Sequence, residues 1–206
     1  MIELLTADTP NGKKISIMLE EIKFDYKITK INIFKDEQFR PEFKKLSPFS
    51  KIPVIIDNKV SLFESGAILI YLGEKSGKFY DKGQRIIINQ WLMGQMSYIG
   101  PMLGQHHQFH HYNPGKSEFG EKRYFKISER IYKELDERLS KSKFLAGKDY
   151  TIADIATFPW IARHKWHDIG LKKFKNLMRW YNEVSKRDAV KKGYDLLKNG
   201  DQIPKA

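Results

Sequence analysis

An α/β domain followed by an all-helical one is the fold the sequence predicts, on three observations. Strand and helix patterns alternate over residues 1–78, no convincing strand appears after Gln84, and helical apolar spacing recurs from Ile86 to Val184. Ile2–Thr6 reads as a short first strand, broken by Thr9-Pro10-Asn11-Gly12. The helix that follows carries Ile15, Met18, Leu19 and Ile22 on one face. Phe24–Ile33 is β-branched and aromatic enough for a second strand, although its alternation slips near Thr29-Lys30. Pro41 and Pro48 then punctuate a polar stretch that predicts a short helix and a loop.

Residues 51–66 are the most informative stretch. Pro53 opens one apolar strand, where a missing N–H is tolerated, and Asp57-Asn58-Lys59 reverses the chain. A second strand delivers Glu64 and Ser65 to a helix over Ser65–Ser76, with Ala67, Ile68, Tyr71 and Leu72 inward and Gly77 as its stop. The order β-α-β-α-β-β-α is thioredoxin-like. Phe79–Gln84 is the expected boundary, giving an α/β domain over 1–79 and a helical domain over 86–206. In the second, Ile86–Leu103 is an apolar helix containing Trp91, and Phe119–Leu139 aligns Ile127, Ile131, Leu135 and Leu139. Thr151-Ile152-Ala153-Asp154 is a capping signal ahead of Ile155, Phe158 and Ile161, and Phe174–Ser185 carries Leu177, Trp180, Tyr181 and Val184.

Composition narrows the chemistry. The 206 residues include no cysteine, which excludes disulfides, thiolate metal sites and a cysteine nucleophile; any thiol chemistry needs a sulfur that arrives with a ligand. No apolar run approaches the ~20 residues of a membrane helix, and no secretory signal opens the chain, so no membrane association and a cytoplasmic location are expected. The formal charge is +12, of which +10 falls in residues 81–206. Lysines outnumber arginines 29 to 8 and are scattered along helices, a pattern of a solvated surface rather than a nucleic-acid site.

The start of the helix after Glu64 suits an amino-acid head group. Backbone N–H groups and the helix dipole favour a carboxylate there, and Glu64 can pair with an ammonium. A cis bond at Ile52–Pro53 would turn the backbone of Ile52 toward a peptide ligand. Thr9 and Asn11 stand at the mouth of the first helix, where both types also serve simply as caps, so the residues alone leave a functional and a structural reading open. His106, His107, His110 and His111 have i, i+4 spacing, but with no cysteine and no close carboxylate no metal is expected; a polar segment lining a cleft is the preferred reading. Asn113-Pro114-Gly115-Lys116-Ser117 ends like a phosphate loop but has His110 where the first glycine belongs.

Ile52-Pro53-Val54 followed by Glu64-Ser65, with Thr151-Ile152-Ala153-Asp154 in the helical part, resembles the soluble glutathione transferases over nearly the whole chain. Thr9-Pro10-Asn11-Gly12, Gln38-Phe39-Arg40-Pro41-Glu42-Phe43 and Gly100-Pro101-Met102-Leu103-Gly104-Gln105 are similar to the bacterial nu-class, a group with glutathione-dependent disulfide-bond oxidoreductase activity. The resemblance implies the glutathione transferase fold, a homodimer with its site near the subunit interface, and glutathione, reduced or oxidised, as the bound molecule. By this resemblance Thr9 and Asn11 face the glutathione sulfur, and Ile52, next to Pro53, pairs its backbone with the cysteinyl part. Glu64 and Ser65 hold the γ-glutamyl end, Gln38 reaches in from its loop, and Arg123 approaches a glutathione carboxylate from the other subunit. The implied activity is reduction of small disulfides or organic hydroperoxides, with conjugation to electrophiles weaker because no tyrosine or serine precedes Ser16. The competing expectation is a non-catalytic transferase-like module in transcription, translation or nitrogen regulation, for which the basic helical part would suit a polyanion.

Overall fold

The computed structural model describes residues 1–206 and divides into two compact units, Met1–Tyr80 with Arg187–Gln202, and Asp81–Lys186 with Ile203–Ala206. The segment 187–202, which lies within the stretch assigned by sequence to the helical domain, thus packs in the first unit.

The first unit runs β1 (Ile2–Thr6), α1 (Pro10–Ile22), β2 (Tyr26–Lys30), α2 (Pro41–Leu46), β3 (Val54–Asp57), β4 (Val60–Phe63) and α3 (Ser65–Ser76). Its sheet has the order β2-β1-β3-β4, with β1 parallel to β2 and antiparallel to β3. The second strand is shorter than the sequence suggests, because Phe24 lies before it and the chain leaves the sheet after Lys30, into short turns over Ile33–Lys35 and Glu37–Phe39. Ile15, Ile17, Met18 and Leu19 of α1 are fully buried, as are Ile68, Leu69 and Leu72 of α3. Ala67 is exposed rather than inward; Leu69 takes the place expected of it, since α3 presents its 68/69/72 stripe to α1. Gly77 closes α3 in the left-handed region at φ 67°, where a glycine carries no Cβ penalty.

The second unit is helical: α4 (Arg85–Gly94), α5 (Gly100–His106), α6 (Glu118–Lys141), α7 (Ile152–Ile161), α8 (His164–His167) and α9 (Lys175–Ser185). The apolar helix expected to end near Leu103 continues to Tyr112, widened into π turns over Gln95–Ile99 and His107–Tyr112. The first widening precedes Pro101, which has no N–H to give an ordinary helical bond. α7 is buried along its whole length, and its capping box forms as the sequence indicates. A last helix, α10 (Asp188–Tyr194), belongs to the first unit and packs on α1; Gly193 allows this approach, because a Cβ there would lie 2.5 Å from the backbone of Ile17. No helix is long and apolar enough to cross a membrane.

Candidate functional site

Strand register gathers the predicted residues of the first unit at one end of its sheet. Leu5 pairs with Val54 and Val54 with Phe63, so the residues after β1, before β3 and after β4 emerge together. These are Thr9, Ile52 and Glu64-Ser65. Because β2 is parallel to β1, the loop carrying Gln38 leaves the sheet at this end as well. The carboxyl ends of β-strands in an open sheet are the usual place for a ligand.

Thr9 is the N-cap of α1: its Oγ1 accepts from the Gly12 N–H at 3.1 Å, which leaves the hydroxyl hydrogen available to a ligand. Asn11 is half-buried in the same first turn. Ile52–Pro53 is cis, and since β3 begins only at Val54, the backbone N–H and C=O of Ile52 lie outside the sheet ladder. The Ile52 side chain packs with Leu5, Phe43 and Val54. Glu64 is the exposed N-cap of α3 at φ 69°, a left-handed conformation uncommon for a residue with a Cβ, and makes no side-chain capping bond. Ser65 follows it, buried at the first position of α3. Gln38 donates its Nε2 to the Ile33 carbonyl at 3.3 Å, while its Oε1 is buried with no partner in the chain. A buried acceptor of this kind fits a donor brought by a ligand. Arg123 belongs to the second unit, exposed on α6 in a basic groove with Lys122, Lys126 and Arg130 over Met102 and Ile127.

The glutathione S-transferase N-terminal domain model matches residues 3–74, and the C-terminal domain model matches residues 102–188. Disulfide-bond oxidoreductase YfcG of Escherichia coli is 42% identical over 207 residues, covering 96% of this chain and 95% of that protein. The chain belongs to the glutathione S-transferase family. Among solved members of the family, a glutathione transferase from Burkholderia graminis, with two glutathione molecules bound per subunit, matches with a TM-score of 0.91. It is 37% identical, with 97% of this chain and 89% of that one covered. One from Pseudomonas putida, with one glutathione disulfide bound per subunit, has a TM-score of 0.89 at 40% identity and coverage of 95% and 91%.

Two features of this family member were not legible as site residues. Lys14, buried in α1, reaches Ser65, and nothing in a lysine within an amphipathic stretch announces that contact. Of the four histidines expected to line a cleft, His106 and His107 instead form part of the core of the second unit, while His110 is half-buried and His111 exposed. His106, His107, His164 and His167 are all buried, the ring of His107 stacked on His167 and Trp160. Tyr132 Oη lies 2.6 Å from His167 Nδ1, and His167 Nε2 lies 2.8 Å from His107 Nε2. One nitrogen of the close pair must donate and the other accept, which excludes both rings being charged at once.

Burial holds all four of these histidines below their ordinary range, His107 at about 3. The unfolded chain takes up protons near pH ~6.5 while the folded one resists, so the folded state loses stability as pH falls below that point. A histidine that stays neutral in the fold, as His107 does, adds about 1.4 kcal/mol per pH unit to that slope once the unfolded form is charged. Urea unfolding between pH 7 and pH 5 should therefore show a steadily falling midpoint. A midpoint independent of pH over this range would mean that the cluster accepts protons while folded.

Proposed function

We propose that the protein is a glutathione-dependent disulfide-bond reductase of the nu-class kind, a cytoplasmic homodimer that uses bound glutathione thiols in place of protein cysteines. The observation that carries this reading is the pairing of a cysteine-free chain with a sheet end that gathers Thr9, Ile52, Glu64 and Ser65. It is supported by relatives named as disulfide-bond oxidoreductases and by neighbours that hold two glutathiones or one glutathione disulfide.

In this reading Glu64 pairs with the γ-glutamyl ammonium, while Ser65 and the N-terminus of α3 take its carboxylate. The backbone of Ile52 beside Pro53 bonds the cysteinyl part, as a short strand would. Gln38 Oε1 accepts from a ligand N–H, and Arg123 of the partner subunit approaches a terminal carboxylate. The Thr9 hydroxyl and the Asn11 amide donate to the sulfur. A free thiol with a pKa of ~8.5 is only a few per cent thiolate at neutral pH, so these donors and the start of α1 raise the reactive fraction. The thiolate attacks one sulfur of a small disulfide, forming a mixed disulfide and releasing the other sulfur as thiolate, which takes a proton from water. A second glutathione thiolate attacks the mixed disulfide at the glutathione sulfur. Glutathione disulfide forms and the remaining substrate thiol leaves; two glutathiones are oxidised for each disulfide reduced. An organic hydroperoxide can enter a parallel scheme: the first thiolate takes the terminal oxygen as a sulfenic acid and releases the alcohol, and the second glutathione then forms glutathione disulfide with loss of water.

Purified protein incubated with glutathione and 2-hydroxyethyl disulfide, with glutathione disulfide formation followed through a coupled reductase, tests the reading. Turnover well above the buffer rate is expected. A folded protein no faster than buffer would refute it.

A further inference from the structure

Lys14 is 1% exposed, although lysine is among the side chains least often fully buried. It sits one turn beyond Asn11 on α1, and its Nζ donates to Ser65 Oγ at 3.3 Å. Ser65 is itself 5% exposed, and its hydroxyl stands at the start of α3 beside Glu64. The other charged groups around α1 are engaged elsewhere. Lys13 pairs with Asp8 and Asp201 and donates to the Tyr194 carbonyl. Glu21 pairs with Arg187 from the start of α10, and on the α3 side Lys75 pairs with Asp57. The Glu64 carboxylate acts on Lys14 in favour of its ammonium form. Burial lowers the amine to about 7, with the Glu64 carboxylate opposing.

An ammonium has three donors and no acceptor, whereas a neutral amine has a lone pair. Beside a neutral Lys14, the single hydroxyl hydrogen of Ser65 can turn to that lone pair. Beside an ammonium, Ser65 Oγ can only accept, and its hydrogen is directed to a carboxylate at the start of α3. The ammonium also attracts that carboxylate through a poorly screened interior.

We propose that Lys14 is a positioning residue of the γ-glutamyl site, and that glutathione binds to the form with Lys14 protonated, taking up a proton from solvent. The inference rests on the glutathione site proposed above and adds a residue and a linked proton to it. No covalent bond of glutathione changes in this step; the amine gains one proton from the buffer. Linkage is reciprocal, so a ligand that prefers the ammonium raises the proton affinity of Lys14 and binds more weakly as pH rises past neutrality.

Calorimetric titration with S-methylglutathione, whose sulfur cannot ionise, tests this in phosphate and in Tris, buffers with different heats of ionisation. At pH 7.5 the apparent enthalpy should differ between them, as uptake of roughly half a proton requires. The Kd should weaken about fivefold between pH 6 and pH 8. Lys14→Met should abolish both effects and weaken binding at pH 6 about tenfold. Lys14→Arg, charged throughout, should bind without pH dependence. If Lys14→Met does not fold, the wild-type buffer comparison decides alone. Equal enthalpies with a flat Kd would overturn the inference while leaving the binding site standing; no heat at any pH would remove the site itself.

Discussion

Asp154→Ala is expected to reduce folding stability by roughly 3–5 kcal/mol, since four buried donors lose their common acceptor. Asp154 Oδ1 accepts from the Leu145 N–H at 3.0 Å and from Trp180 Nε1 at 2.9 Å. Its Oδ2 accepts from the Thr151 N–H at 3.0 Å and from Thr151 Oγ1 at 3.1 Å. One carboxylate thus caps α7, ties the 142–150 loop to it and anchors a fully buried Trp180 on α9. Burial pushes the carboxyl up, to about 6, against the pull of those donors. For a chain of this size each kcal/mol corresponds to ~2–4 °C in Tm, so calorimetry should find a fall of about 10 °C. Asp154→Asn retains one acceptor oxygen but turns an NH2 toward donors, and should fall between the two. A loss under ~1 kcal/mol in Asp154→Ala would mean that water replaces the carboxylate at little cost.

That the sequence announced Asp154 follows from its locality. A capping box is read from four consecutive residues, and both of its bonds span three or fewer positions. The hairpin and α3 were legible for the same reason, through Pro53, the turn at Asn58 and Gly77. Where partners lie far apart in sequence, legibility ended. Lys14 and Ser65 are separated by 51 positions, His107 and His167 by 60, and Lys13 and the Tyr194 carbonyl by 181. Helical periodicity could not distinguish Ala67 from Leu69, because both border the apolar stripe of α3 and only the packing against α1 chooses between them. The long helix was read only as far as Leu103 because the stretch that follows is mostly polar, and the π turn over His107–Tyr112 breaks the 3.6-residue spacing by which a helix is recognised. The candidate residues that meet at one end of the first unit's sheet, Thr9, Ile52, Glu64 and Ser65, stand at turns and helix starts, where short local patterns mark them in the sequence.

Asn11→Ala separates the two meanings that the mouth of α1 can have. The N-cap bond of this helix runs from the Gly12 N–H to Thr9 Oγ1, so removing the Asn11 amide leaves the cap in place. Thr9→Val removes both the cap and a donor to sulfur, and should cost ~1 kcal/mol of stability in addition to activity. If the Asn11 amide donates to the glutathione thiolate, its loss raises the bound thiol's pKa by one to two units, about 1.4 kcal/mol for each. Turnover of 2-hydroxyethyl disulfide at pH 7 should then fall about ten- to a hundredfold in kcat/KM, with the Thr9 cap of α1 still formed. The acid limb of the pH–rate profile should move upward by the same one to two units, since more base is needed to form an equal share of thiolate. Merely structural loss would lower activity at every pH without moving that limb. An Asn11→Ala protein whose acid limb coincides with the wild type would show that the thiolate is held by Thr9 and the start of α1 alone.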